Sequence, residues 1–189
     1  AEWMGLDILL TPSTLIPRPE TAELVEWIRQ KCSPSVRARV LDIGTGSGCI
    51  AIALKQRAPL WQVTGLDISP DALEIAKKNA TRNNVQVDWI QIDILNEELK
   101  GDFDIIVSNP PYICDSEKID MEARVLDYEP HSALFVPDND PLLFYRRIAD
   151  LKPSLLFFEI NEAYGEAVCA MMKEKGYTNI ELKNDIYGK

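Results

Sequence analysis

Ser108-Asn109-Pro110-Pro111-Tyr112 is the stretch of this chain best equipped for chemistry, because its residues answer the needs of one awkward nucleophile. An amide or aromatic amino nitrogen attacks poorly, since its lone pair is delocalised into the neighbouring π-system. Asn109 offers a side-chain carbonyl that accepts from such an NH₂ group, and the backbone carbonyl of Pro110 can accept from the second hydrogen. Two acceptors hold the nitrogen with its lone pair aimed at an electrophile and stabilise the positive charge that develops on it. Tyr112 adds a stacking face for a flat group, and Pro111 stiffens the turn between them. No basic side chain is needed before transfer, and the single His131, in Glu129-Pro130-His131, reads as a loop residue. The structural alternative is two prolines that merely rigidify a turn. A given tetrapeptide arises by chance in about one chain in a thousand of this size, and this one directly follows an apolar run, residues 103–107.

Asp42-Ile43-Gly44-Thr45-Gly46-Ser47-Gly48 is the second chemical feature. Glycines between a strand and a helix let the backbone turn sharply and approach a ligand at the helix N-terminus. A dinucleotide fingerprint would place Gly or Ala at the sixth position of G-x-G-x-x-G, where this chain has Cys49. Asp42 followed by G-x-G-x-G is instead the form seen in S-adenosylmethionine enzymes. That cofactor presents a carboxylate to the helix N-terminus and a sulfonium cation that tolerates a nearby Asp. Gly44, Thr45, Gly46, Ser47 and Gly48 are therefore candidate cofactor contacts. Asp67 ends the next strand, where a carboxylate can accept both ribose hydroxyls or can cap the loop before Ser69-Pro70. Asp93 ends the strand after that; it can accept from an adenine amino group while Ile94 packs on the ring, or it can be a solvated strand-end residue.

These residues need elements to position them. Short apolar runs at residues 40–43, 62–66, 85–92, 103–107 and 155–160 read as strands, and residues 177–182 are expected to add a sixth. Residues 49–57 read as a helix stopped near Pro59. Ser69 is an expected N-cap with Pro70 at the first helical position, and Ala72, Leu73, Ile75, Ala76 and Ala80 mark an apolar face. Residues 163–175 form a further helix with Gly176 at C′. Continuous apolar strands alternating with helices predict a Rossmann-like α/β fold, a mostly parallel sheet with helices on both faces. The candidate sites then fall at the carboxyl ends of strands. Residues 1–36 differ: 3–15 look extended, and 21–31 form an amphipathic helix with Leu24, Val25 and Ile28 inward. Residues 37–189 are the expected catalytic domain.

Bulk composition narrows the class. The chain has 189 residues, 46% of them hydrophobic, and a formal net charge of −10. No apolar run is long enough to span a bilayer, and no secretory signal is visible at residues 1–5. Cys32, Cys49, Cys114 and Cys169 form no C-x-x-C pair, so reduced cysteines in a cytoplasmic protein without a metal site are expected. No basic stripe suited to a phosphate backbone shows, which favours a neutral or basic protein partner over nucleic acid. A monomer is expected.

Together with Leu15-Ile16-Pro17-Arg18-Pro19-Glu20-Thr21, Asp67-Ile68-Ser69-Pro70-Asp71-Ala72, Tyr128-Glu129-Pro130 and Ala133-Leu134, these motifs resemble the protein-(glutamine-N5) methyltransferases that modify peptide chain release factors, the HemK/PrmC family. Nucleic-acid N6-adenine methyltransferases, the alternative, share N-P-P-Y but not the upstream I-P-R-P-E-T run. The resemblance implies that residues 44–48, Asp67, Ile94 and Asn109 contact S-adenosylmethionine. It also implies that residues 109–112 hold the glutamine of the release factor's Gly-Gly-Gln loop. Three departures stand out. The family's usual N-terminal helical domain is absent, so residues 1–36 read as the remnant of a linker to it. Residues 148–155 are shorter than their counterpart, and an interruption of the chain is expected between Arg147 and Leu155. The chain also stops at Lys189, before an expected last strand.

Overall fold

The computed structural model describes residues 1–111, 113–114 and 135–189. Nine strands and five α-helices are assigned among them. The central sheet contains β3 (Arg39–Ile43), β4 (Gln62–Asp67), β5 (Asp88–Gln91), β6 (Ile105–Ser108) and β9 (Leu155–Phe158), all parallel, in the order β5-β4-β3-β6-β9. Two short pairs lie outside it: β1 (Glu2–Trp3) with β2 (Leu6–Asp7), and β7 (Ile113–Cys114) with β8 (Phe135–Val136). The first is a tight hairpin, turned by Met4 and Gly5 at positive φ, where the sequence suggested only extended chain.

Successive strand residues point to opposite faces, so each face has its own core. Val40, Val63, Ile105, Val107 and Phe157 pack beneath α1 (Pro19–Lys31) and α2 (Cys49–Arg57). Leu41, Ile43, Leu66 and Ile106 pack on the other face with Ile94 and with Ile148 of α4 (Leu143–Ala149). Trp3, Leu6, Ile8, Leu24, Val25 and Ile28 all join the first cluster, so residues 1–36 share a core with the sheet. α3 (Pro70–Arg82) starts as expected: the Ser69 hydroxyl accepts from the Ala72 amide at 3.2 Å, and Pro70 opens the first turn.

One expectation needs correction. Residues 177–182 form no strand, and among the described residues β9 is the edge of the sheet. Side chains hold this segment on the helices instead: the Tyr177 hydroxyl donates to the Ala149 carbonyl at 2.7 Å, and Ile180 packs with Val168 and Met172 of α5 (Gly165–Glu174). Residues 150–155 carry the chain from α4 into β9. The amides of Asp150, Leu151 and Lys152 close the end of α4 onto Arg146, Ile148 and Ala149, Lys152 takes a left-handed φ of 52°, and the Leu155 amide already bonds Asp104. One left-handed residue followed by Pro153 is enough to reverse the chain into β9.

Candidate functional site

The sheet order brings the two motifs together. Chain order reverses about β3, which lies between β4 and β6, and Ile43 pairs with Ser108. The glycine loop and Asn109 therefore leave adjacent strand ends, at the kind of crevice where open α/β sheets take ligands.

The loop is held by its own backbone. The amides of Gly44 and Thr45 both donate to the Leu66 carbonyl at 2.9 Å, and the Gly48 amide donates to the Thr45 carbonyl at 2.8 Å. Gly46 has φ 55°, and a Cβ there would meet nothing within 4 Å; the space beside it is open to a ligand lying against the main chain. Gly48, at φ 80°, differs: a Cβ would stand 3.0 Å from both Ala76 Cβ and the Trp89 ring, so the protein itself requires this glycine.

Carboxylates and one buried amide complete this side. Asp42 is fully buried, accepts from the Thr45 hydroxyl at 2.6 Å through Oδ2, and leaves Oδ1 without a partner. Burial pushes its carboxyl up to about 7 against the opposing pull of the Thr45 bond. Asp67 accepts from the Gly46 amide at 2.8 Å and from the Ser69 amide at 3.0 Å. Burial raises its pKa, and the Ser69 and Gly46 amides oppose that rise. The loop-capping contact is thus present, and a carboxylate's remaining lone pairs leave room for hydroxyl donors. Burial also pushes the Cys49 thiol up to about 12, which keeps it protonated beneath the loop.

Asn79 escaped the sequence reading. It is fully buried, donates to the Ser47 carbonyl at 2.8 Å and the Leu9 carbonyl at 3.0 Å, and accepts from the Leu9 amide at 2.7 Å. It laces the N-terminal arm to the glycine loop. The available signal was a polar residue on the apolar face of α3.

Asp93 and Ile94 lie past β5. Asp93 accepts from the Leu95 amide at 3.0 Å and from the Asn96 side chain at 2.6 Å, which builds the turn after the strand. Ile94 is 5% exposed, with its side chain in the core. Little of that side chain is left for a ring to pack on.

On the acceptor side, Asn109 is partly buried beside buried Pro110. Its Nδ2 lies 3.5 Å from the Thr21 hydroxyl, which donates to Glu159 Oε2 at 2.7 Å. Thr21 belongs to α1 and Glu159 immediately follows β9, so three distant segments meet here; the I-P-R-P-E-T run was the only sequence hint. Tyr112, Tyr128-Glu129-Pro130, His131 and Ala133-Leu134 lie outside the described residues.

Comparison with known proteins places this geometry. Residues 20–127 match the methyltransferase small domain family. The chain is 49% identical to the release factor glutamine methyltransferase of Bacteroides thetaiotaomicron, over 100% of this chain and 70% of that protein. It is 47% identical to the release factor glutamine methyltransferase of Flavobacterium psychrophilum, over 99% of this chain and 69% of that protein. Among solved structures, the ribosomal protein L11 methylase of Lactobacillus delbrueckii subsp. bulgaricus superposes with a TM-score of 0.62 at 20% identity, covering 88% of this chain and 74% of that one; this likeness is one of fold.

Proposed function

Because this chain belongs to the release factor glutamine methyltransferase family, we infer that it transfers a methyl group from S-adenosylmethionine to the side-chain amide nitrogen of a glutamine in a peptide chain release factor. The observation that carries this reading is the whole-chain match at 49% identity. The pairing of Ile43 with Ser108 supports it physically, because it sets the glycine loop beside Asn109.

When bound, S-adenosylmethionine supplies an electrophilic methyl group on a sulfonium cation. The residues present fit such a ligand: the open left-handed backbone at Gly46 admits main-chain contact just before the N-terminus of α2, and Asp67 has acceptor capacity for ribose. Residues 44–48, Asp67, Asp93 and Asn109 are the proposed cofactor contacts, and Ile94 adds only the small part of its side chain that the core leaves exposed. Asn109 Oδ1 and the Pro110 carbonyl accept the two N–H bonds of the glutamine carboxamide. Both acceptors strengthen as positive charge builds on the nitrogen, so they favour the transition state over the ground state. Pro111 and Tyr112 are the remaining proposed substrate contacts.

The glutamine is that of the Gly-Gly-Gln loop. A net charge of −10 suits a basic protein partner better than a phosphate backbone. The enzyme acts as a cytoplasmic monomer, with residues 1–36 as an extension of the catalytic domain at 37–189. Among the described residues no helix is long and apolar enough to cross a membrane. One assay tests the reading: incubate the protein with methyl-labelled cofactor and either a release factor or duplex DNA. Label on the release-factor glutamine, located by mass spectrometry, is expected. Robust label on DNA at physiological salt, with none on the protein, would overturn it.

A further inference from the structure

Asn109 can do its work in only one of two orientations. A carboxamide substrate brings two N–H donors, so Asn109 must present Oδ1 to it; turned over, the side chain would present its own NH₂ and repel the substrate. Oxygen and nitrogen of an amide differ little in size, so packing alone does not choose between them. Hydrogen bonding does. Thr21, 3% exposed, has a single hydroxyl proton, and it points at Glu159 Oε2, 2.7 Å away. An ionised carboxylate only accepts, so the hydroxyl must donate there and turn its lone pairs elsewhere. Those lone pairs face Asn109 Nδ2 at 3.5 Å. Glu159 is fixed in turn, because its amide bonds the carbonyl of Ser108, the residue before Asn109, at 3.1 Å, and its own carbonyl accepts from the Tyr145 hydroxyl at 3.2 Å.

We propose that Thr21 and Glu159 are positioning residues that set the polarity of the Asn109 amide and so make the acceptor slot select a carboxamide over a carboxylate. The proposal rests on the glutamine reading above. Its consequence is specific: without the Thr21 hydroxyl, Asn109 is free to turn and offer its NH₂ group, which suits glutamate as well as the Oδ1 end suits glutamine.

The test uses the full chain with two forms of one release factor, carrying Gln or Glu in the Gly-Gly-Gln position. Thr21→Val keeps shape and removes the hydroxyl; Thr21→Ser restores it. Expected for Thr21→Val are a kcat lower by about tenfold or more, the equivalent of one lost hydrogen bond to a developing charge, an unchanged cofactor Kd, and a fall in the preference for the Gln form over the Glu form in direct binding. Thr21→Ser recovers rate and preference, and Glu159→Gln, whose side chain can donate as well as accept, falls between. Wild-type selectivity in Thr21→Val overturns the proposal and leaves the proposed function standing, as does a loss of rate with selectivity unchanged. Failure of the wild-type chain to methylate the Gln form overturns both.

Discussion

The cofactor side and the acceptor side of the cleft are built by different means. On the cofactor side, main-chain amides at Gly44, Thr45, Gly46 and Gly48 are all engaged within residues 42–67, and most of the cradle is one loop between two strands. On the acceptor side, Asn109 is met by a hydroxyl from α1 and, beyond it, a carboxylate following β9, through a side-chain relay whose first step is 3.5 Å long. A backbone cradle tolerates side-chain change because its donors belong to the chain itself. A side-chain relay loses its function when one member is replaced. The proposed cofactor seat is thus preformed, whereas the proposed acceptor wall depends on the correct packing of three segments.

The largest effect expected on the cofactor side comes from Asp67→Ala. It removes the proposed acceptor for ribose and leaves the Gly46 and Ser69 amides without their carboxylate. Cofactor affinity should fall by about 1–3 kcal/mol, the cost of losing charge-assisted hydrogen bonds; calorimetry showing wild-type affinity would remove Asp67 from the site.

A second effect is on stability against pH. Burial raises the Asp42 carboxyl to about 7, above the value of about 3.9 it has in an unfolded chain. Between these values the folded chain holds a proton that the unfolded chain releases, so this group makes stability fall as pH rises from about 4 to about 7, and its contribution levels off above that. Melting temperatures measured across this window should decline more steeply in the wild type than in Asp42→Asn. Parallel curves would show that Asp42 ionises normally.

The smallest effect separates scaffold from ligand contact. Ser69→Ala removes the α3 cap and should cost about 1 kcal/mol of stability while leaving turnover at saturating cofactor unchanged. A drop in kcat at full folding would mean that Ser69 touches the reaction.

The cofactor side was the more legible in the sequence for the same reason. A glycine loop is contiguous, and its residue types state the backbone conformation directly; Ser69-Pro70 announced α3 in the same way. The parallel sheet was legible from apolar runs whose ends shifted only slightly, as at Asp88–Gln91 within the expected 85–92. What failed depended on tertiary competition. Residues 177–182 have a strand-like composition, yet Tyr177 and Ile180 find better partners on α4 and α5 than along the edge of β9. Asn79, Thr21 and Glu159 act across separations of 32, 88 and 138 residues, which no local pattern encodes.

The division of labour between the two sides is tested most directly by Asn109→Ala, measured for methyl transfer to release factor and for cofactor binding on the same preparation. Turnover should fall by about 100-fold or more, the scale for removing one electrostatic stabiliser of a transition state, with cofactor affinity mostly kept and at most modestly weakened. Retained turnover, or a collapse of cofactor affinity that by itself accounts for the lost rate, would contradict the assignment of Asn109 to the acceptor wall.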